Sequence, residues 1–318
     1  MTPWDKKVTL DNQTNSGEDL SPEKYIINLT GTGTGNVWIE DSGGSIGSDT
    51  LWVFGTSAAD TVTLDTETID SVVYGKVLIS TAGASGTDTV YYHDMENFAV
   101  STLGGNDVLQ LNDNLNTTYI YTGAGDDSIT IGYVGTWTNN EGIPVVDFGN
   151  TTNGISAETF IYGGAGDDYF EINHNVAVLW LYGEDNDDTF IQYSFLVDLL
   201  DPDLQTGLGD EDDVTLNGGA GANSYEVGDP GPLGSDRYVY LQNNQVHIEG
   251  GNGTDTYVIV GSPLADYFIL TANYLLGGGL NTTFSGIEIL QLNTGGGDDV
   301  VYVLGSAAGI SVSVLTGS

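Results

Sequence analysis

Apolar residues in this chain return two and four places after an acidic or amide residue, twelve times between residues 44 and 299. The anchors are Asp49, Asp60, Asp88, Asp107, Asp127, Asp168, Asp188, Asp212, Asn223, Asp255, Asp266 and Asp299. Their +2 and +4 positions read Leu51/Val53, Val62/Leu64, Val90/Tyr92, Leu109/Leu111, Ile129/Ile131, Phe170/Ile172, Phe190/Gln192, Val214/Leu216, Tyr225/Val227, Tyr257/Ile259, Phe268/Leu270 and Val301/Val303. Only Gln192 is polar, whereas a chain that is 39% hydrophobic fills roughly nine of these positions by chance. A period of two predicts a short strand, buried on one face, directly after each anchor. Glycine-rich segments precede most anchors and predict turns, and with no apolar stripe at a period of 3.6 the helix content is expected to be very low.

Spacing sets the architecture. Asp107 and Asp127 lie 20 residues apart, as do Asp168 and Asp188, and the 41 residues from Asp127 to Asp168 fit two such repeats. Repeats of about this length stack, so the predicted fold is all-β: a right-handed parallel β-solenoid, of β-helix or β-roll type, with coils of about 20 residues and loop insertions. Residues 1–25 are polar and read as a lead-in or linker to a solenoid over 26–318. Two stretches break the repeat and read as excursions, 132–158 and 195–205. A longer symmetry overlies the short one. Residues 92–111 align without a gap to 284–303, placing Glu96 on Glu288, Thr102 on Thr294 and Asp107 on Asp299. SDTLWVFGTSAADTVTL upstream of the first likewise matches TDTYVIVGSPLADYFIL upstream of the second, so 48–111 and 254–303 are copies of one larger unit.

Composition narrows the function. Forty-five acidic residues against five basic ones give a net charge of −40, which excludes nucleic-acid partners and favours bound cations. Cysteine is absent, so neither disulfides nor thiolate metal sites are available. No apolar run is long enough to span a bilayer, and no apolar segment follows the lysines of residues 1–7 as in a signal peptide. The acids recur at set places in the turns, often doubled: Asp126/Asp127, Asp167/Asp168, Asp187/Asp188 and Asp298/Asp299. Adjacent carboxylates repel unless a cation lies between them. Glycine turns aim backbone carbonyls at a shared point and Asp adds charge, which is the oxygen-rich environment that calcium prefers.

The turns resemble the repeats-in-toxin (RTX) calcium-binding nonapeptide GGxGxDxUx, where U is a large apolar residue, and Gly163 to Glu171 match it at every specified position. The resemblance implies a β-roll with Ca2+ bridging adjacent turns, folding after export into calcium-rich surroundings. Carried over residue by residue, it assigns metal contacts to Gly163, Gly164, Gly166, Asp167 and Asp168, to Gly123, Gly125, Asp126 and Asp127, to Gly250, Gly251, Gly253 and Asp255, and to Asp88, Asp107, Asp187, Asp188, Asp212, Asp298 and Asp299. Glu184 and Asn186 replace glycines before Asp188, and an amide, Asn223, replaces the acid after Gly218. The turns Gly55–Asp60 and Gly261–Asp266 keep little glycine and are expected to hold no ion. The family spaces its motifs every nine residues, whereas most here come once per coil, which points to a single row of ions. The longer unit also resembles repeats of very large secreted bacterial surface proteins.

These readings predict a calcium-stabilised structural or adhesive segment of a secreted or cell-surface protein, an adhesin, surface-layer or matrix component. Its expected partners are calcium, and surface polysaccharide or like chains; no enzyme activity is expected. The alternative is a β-helix glycoside hydrolase or a carbohydrate-binding module. Within the repeats the only Lys or Arg residues are Lys76 and Arg237, too few to neutralise an acidic polysaccharide, and His93, His174 and His247 show no ligand or triad spacing. Aromatic pairs recur before three turns, Tyr119/Tyr121, Phe160/Tyr162 and Trp180/Tyr182, as either a packing ladder or a sugar platform.

Overall fold

The computed structural model describes residues 5–10, 24–29, 35–41, 49–133, 135–138, 144–147, 152, 154–173, 177–193, 214–217, 224–228, 245–251, 254–261, 265–277, 280–295 and 297–316. These residues are all-β and contain no helix. In chain order the strands are β1 Asp5–Leu10, β2 Lys24–Asn28, β3 Asn36–Asp41, β4 Thr50–Phe54, β5 Asp60–Ile69, β6 Val72–Thr81, β7 Asp88–His93, β8 Asn97–Ser101 and β9 Val108–Leu111. Next come β10 Thr117–Ala124, β11 Ser128–Ile131, β12 Gly135–Thr138, β13 Pro144–Asp147, β14 Thr159–Ala165, β15 Tyr169–Ile172, β16 Leu179–Asp185, β17 Thr189–Tyr193 and β18 Val214–Asn217. The last are β19 Ser224–Gly228, β20 Gln245–Glu249, β21 Thr256–Val260, β22 Tyr267–Leu270, β23 Tyr274–Gly277, β24 Leu280–Ser285, β25 Ile289–Asn293, β26 Val300–Val303 and β27 Ser311–Leu315.

Two long sheets hold nearly all of them. One has 13 strands in the order β1-β3-β7-β6-β5-β9-β11-β15-β17-β19-β21-β25-β27, the other 12 in the order β2-β4-β8-β10-β14-β16-β18-β20-β24-β23-β22-β26. Strands consecutive in sequence mostly alternate between the sheets, and neighbours within a sheet run parallel in straight register, as in Ile129↔Phe170 and Phe170↔Phe190. The +2 and +4 residues meet in this register and form the core: Leu109, Leu111, Ile129, Ile131, Phe170, Ile172 and Phe190 are each almost wholly buried. The side chain of Gln192, the polar exception, lies outside the described residues, as do residues 139–143 and 148–151 of the 132–158 excursion and all of 195–205. What is described of 132–158 includes a small antiparallel pair, β12 with β13.

Antiparallel pairing enters the long sheets at two places. β5 and β6 form a ten-residue hairpin turned by Asp70 and Ser71, both with positive φ (49° and 69°), the conformation a two-residue hairpin needs. β6 then pairs antiparallel with β7, and β22, β23 and β24 repeat the arrangement. These hairpins are equivalent parts of the duplicated unit. The first copy places β4 and β8 in the 12-stranded sheet and β5–β7 and β9 in the other; the second places β22–β24 and β26 in the 12-stranded sheet and β21 and β25 in the other. The two copies therefore stand with their sheets exchanged.

The corner opposite the glycine turns is held by a side chain that sequence pattern did not single out. Asn114 is buried; its Oδ1 accepts the backbone N–H groups of Ser156 (2.8 Å) and Ala157 (2.9 Å), and its Nδ2 faces the Thr118 and Thr159 hydroxyls at 3.0 Å. Replacing it leaves the N–H groups of Ser156 and Ala157 without this acceptor and the buried Thr118 and Thr159 hydroxyls, in two successive units, without this donor. Asn114→Ala is expected to lower unfolding free energy by about 3 kcal/mol, read from urea denaturation, with an unchanged m-value.

Candidate functional site

Nine of the described anchors share the phase of their +2 and +4 residues and turn their carboxylates inward, at the edge of the core. Asp107, Asp127, Asp168 and Asp188 are all at most 2% exposed, and Asp49, Asp60, Asp88, Asp255 and Asp266 are also buried. The carboxylates reach backward along the stack. Asp107 Oδ1 accepts the Asp60 N–H (2.7 Å), Asp127 Oδ1 that of Asp107 (2.7 Å), Asp168 Oδ1 that of Asp127 (2.8 Å) and Asp188 Oδ1 that of Asp168 (3.0 Å). In the second copy Asp299 Oδ1 takes the Asp266 N–H (3.0 Å). Where a hairpin precedes the receiving strand, a glutamate does this work: Glu96 Oε2 accepts from Asp49 (2.9 Å) and Glu288 Oε2 from Asp255 (3.0 Å).

A second column lies outside the first and runs the other way. Asn106 Oδ1 accepts the N–H of Asp126 (3.2 Å), Asp126 Oδ1 that of Asp167 (3.1 Å) and Asp167 Oδ1 that of Asp187 (3.2 Å). Asp126, Asp167 and Asp187 are exposed. Asp126/Asp127 and Asp167/Asp168 are thus two-way stitches, one carboxylate holding the unit before and the other the unit after. Strand spacing sets such columns about 4.8 Å apart per unit, close enough for strong mutual repulsion.

The buried column is short of donors. Oδ2 of Asp107, Asp127 and Asp168 is inaccessible and accepts no hydrogen bond from the protein. Burial pushes the carboxyls of Asp107, Asp188 and Asp168 up to about 6, about 7 and about 8, and raises that of Asp127, with the neighbouring aspartates adding to the effect. The hydroxyls at position −5, of Thr102 and Thr122, act to lower the values of Asp107 and Asp127 but do not overcome burial. Thr102 and Thr122 give their protons to the carbonyls of Thr122 (2.9 Å) and Gly163 (2.6 Å) in the following unit. Asp60 differs. Its carboxylate accepts from Thr56 N–H (2.7 Å), the Thr56 hydroxyl and the Thr81 hydroxyl, so the turn with little glycine carries its charge on protein donors.

The motif's glycines answer to two demands. A Cβ on Gly163 would stand 2.2 Å from Asp168 Oδ2, and one on Gly250 2.7 Å from Asp255 Oδ2, so the first glycine makes room for the carboxylate. The glycines at −4 and −2 take positive φ: Gly164 (103°) and Gly166 (138°), with Gly123, Gly125 and Gly251 alike. Leu103 (72°), Glu184 (77°) and Asn186 (84°) adopt the same conformation with side chains, at a cost of about 1 kcal/mol each. Asp298 is exposed and Asp299 half-buried at the end of the stack. Asp212, Gly253 and the Gly218–Asn223 turn lie outside the described residues.

Among the described residues no three Asp, Glu or His side chains converge as a chelating group. An ion at these turns would have one buried carboxylate oxygen and would complete its shell from turn carbonyls and water, as calcium's flexible coordination permits. The other candidates are engaged elsewhere. Tyr119, Phe160 and Trp180 stack face to face at 5.1 and 6.0 Å, and Tyr121, Tyr162 and Tyr182 at 5.0 and 4.8 Å, so the ring faces a sugar needs are turned to each other. Lys76 pairs with Glu67 (2.7 Å). His93 contacts Asp94 and His247 contacts Thr283, each at 2.8 Å; His174 lies outside the described residues.

Raised carboxyl values fix the sign of the pH dependence. A buried acid whose value is raised from 3.8 contributes fully below that pH and loses its contribution as pH climbs through about 6 to 8. In EDTA, the melting temperature is expected to fall steadily between pH 5 and 9, opposite to the usual acid sensitivity. Asp168→Asn keeps an acceptor for the Asp127 N–H and removes the charge, so it should raise the melting temperature in EDTA at pH 8 and flatten that slope. Independently, Glu184→Gly is expected to stabilise by about 1 kcal/mol in chemical denaturation, by relieving left-handed backbone strain.

No family model matches the chain, and no curated protein is significantly similar to it in sequence.

Proposed function

We propose that the two sheets are opposite faces of a right-handed parallel β-solenoid with coils of about 20 residues, and that this solenoid is a calcium-stabilised structural or adhesive segment of a secreted or cell-surface protein. Alternation of consecutive strands between two parallel sheets supports the coil, since parallel crossovers are right-handed almost without exception. The observation that carries the calcium reading is the column of buried carboxylates in which Asp107, Asp127 and Asp168 each keep an oxygen without a donor, one per unit, beside turns of positive φ. A buried charge in that state is stable only when protonated or paired with a cation. At extracellular pH and millimolar calcium, pairing is the more favourable state. Asp168, with Gly163, Gly164 and Gly166, and Asp127, with Gly123 and Gly125, would hold such ions. Bound calcium would also offset part of the −40 charge. Nothing in this role requires catalysis: ions lock successive coils together and hold an acidic rod in shape.

Thermal melting of EDTA-treated protein with and without calcium tests this. Millimolar calcium is expected to raise the melting temperature strongly, each site contributing about 2.7 kcal/mol at a hundredfold excess over its Kd. Asp168→Asn should remove part of the gain, and magnesium should substitute poorly. A melting curve indifferent to calcium would refute the reading.

A further inference from the structure

We propose that Tyr121, Tyr162 and Tyr182, stacked on the outer face of the 12-stranded sheet, form a modification site at which a one-electron oxidant joins successive units through dityrosine. The proposal goes beyond the calcium reading and stands apart from it. The three residues occupy one place in the repeat, six residues before Asp127, Asp168 and Asp188, and straight register sets Tyr121 on Tyr162 and Tyr162 on Tyr182. The rings follow the register. Their centroids are 5.0 and 4.8 Å apart and each pair is 6° from parallel, so the carbons ortho to one hydroxyl lie beside those of the next ring.

Neighbouring side chains confine the chemistry to this file. Two residues earlier in each strand runs a second stacked file, Tyr119, Phe160 and Trp180, but it holds one phenol, and Ala99 precedes it in register. That file has no phenol pair to couple along the stack. The tyrosine file is bounded as well: register places Ser101 before Tyr121 and Asn217 after Tyr182, and Trp52 stacks on Tyr121 at 5.7 Å. Tyr162 therefore meets a phenol on each face, and Tyr121 and Tyr182 meet one each. All three rings are half-buried, which exposes their edges to an oxidant while the stack holds them aligned. Burial raises the Tyr162 hydroxyl above its ordinary value, and the phenols of Tyr182 and Tyr121 add to the effect, so the group is neutral before it is oxidised.

With hydrogen peroxide as the oxidant, delivered through a peroxidase in one-electron steps, the reaction balances. Each of two phenols gives up one electron and its hydroxyl proton, leaving two tyrosyl radicals. A carbon–carbon bond forms between their ortho carbons, the C–H bonds at those carbons break, and their hydrogens move to the phenolic oxygens. The peroxide takes the two electrons and two protons and is reduced to two molecules of water. The bond would tie together residues 41 or 20 positions apart. It would restrict the unfolded chain as a disulfide does, in a sequence that has no cysteine to make one.

Treatment of the dilute 318-residue protein with a peroxidase and hydrogen peroxide, in calcium, tests this. A monomer lighter by two hydrogen atoms, with dityrosine fluorescence, is expected, and peptide mapping should place the bond between Tyr162 and either Tyr121 or Tyr182, out of 18 tyrosines. The cross-linked monomer should melt roughly 5 °C higher than the untreated one. Tyr162→Phe keeps a stacked ring and should abolish the product, whereas Tyr121→Phe and Tyr182→Phe should each leave coupling at the remaining pair and Tyr119→Phe should leave the yield unchanged. A folded protein whose tyrosines stay uncoupled, a bond mapped to other tyrosines, coupling only between chains, coupling that survives Tyr162→Phe, or a cross-linked monomer that melts no higher would each overturn the proposal.

Discussion

Everything in this architecture turns on placing a carboxylate inside the corner of each unit. A buried aspartate that accepts a backbone N–H from the unit before it fixes the vertical register of two strands at once, because its own strand begins at the next residue. The apolar ladders at +2 and +4 then stack without slipping. A one-residue slip would turn every one of them outward and would also break the bond. The outer column repeats the constraint in the opposite direction, so neither turn of a pair shifts alone. The cost is electrostatic: carboxylates held in a row, largely out of water, with Oδ2 of Asp107, Asp127 and Asp168 accepting no hydrogen bond from the protein.

That cost was partly legible in the sequence and partly misread. The strands were legible because their phase after the anchor is fixed and because one polar residue in 24 positions cannot arise from composition. The same phase says that the anchor faces inward, since positions 0, +2 and +4 share a side of the strand; reading the Asp as part of the turn obscured this. Glu96 and Glu288 were aligned on one another, yet their role as acceptors for Asp49 and Asp255 needed the hairpin geometry that separates those strands in sequence. Thr102 was aligned on Thr294, but its bond, like the roles of Thr122 and Asn114, was not legible, because a buried hydroxyl or amide among many surface Thr and Asn residues is identified only by its partners.

The contrast between Asp60 and Asp168 shows two solutions to one problem. At Asp60, Thr56 and Thr81 supply hydroxyl and amide donors, and the turn needs no glycine beyond Gly55. At Asp168 no side chain donates to Oδ2, and Gly163 brings bare backbone close to the carboxylate. A turn that satisfies its aspartate internally is indifferent to its surroundings; one that leaves an oxygen bare makes its stability depend on the solution. Mixing the two along one chain gives segments of differing sensitivity within a continuous stack.

The hairpins have a mechanical consequence. Inserting two extra strands into one sheet lengthens that side of the stack by about 10 Å relative to the other, at roughly 4.8 Å per strand. β5 and β6 lengthen the 13-stranded side near one end, and β22 and β23 lengthen the 12-stranded side near the other. The two insertions fall in different sheets, so the surplus of strands that the first gives to one sheet is offset by what the second gives to the other.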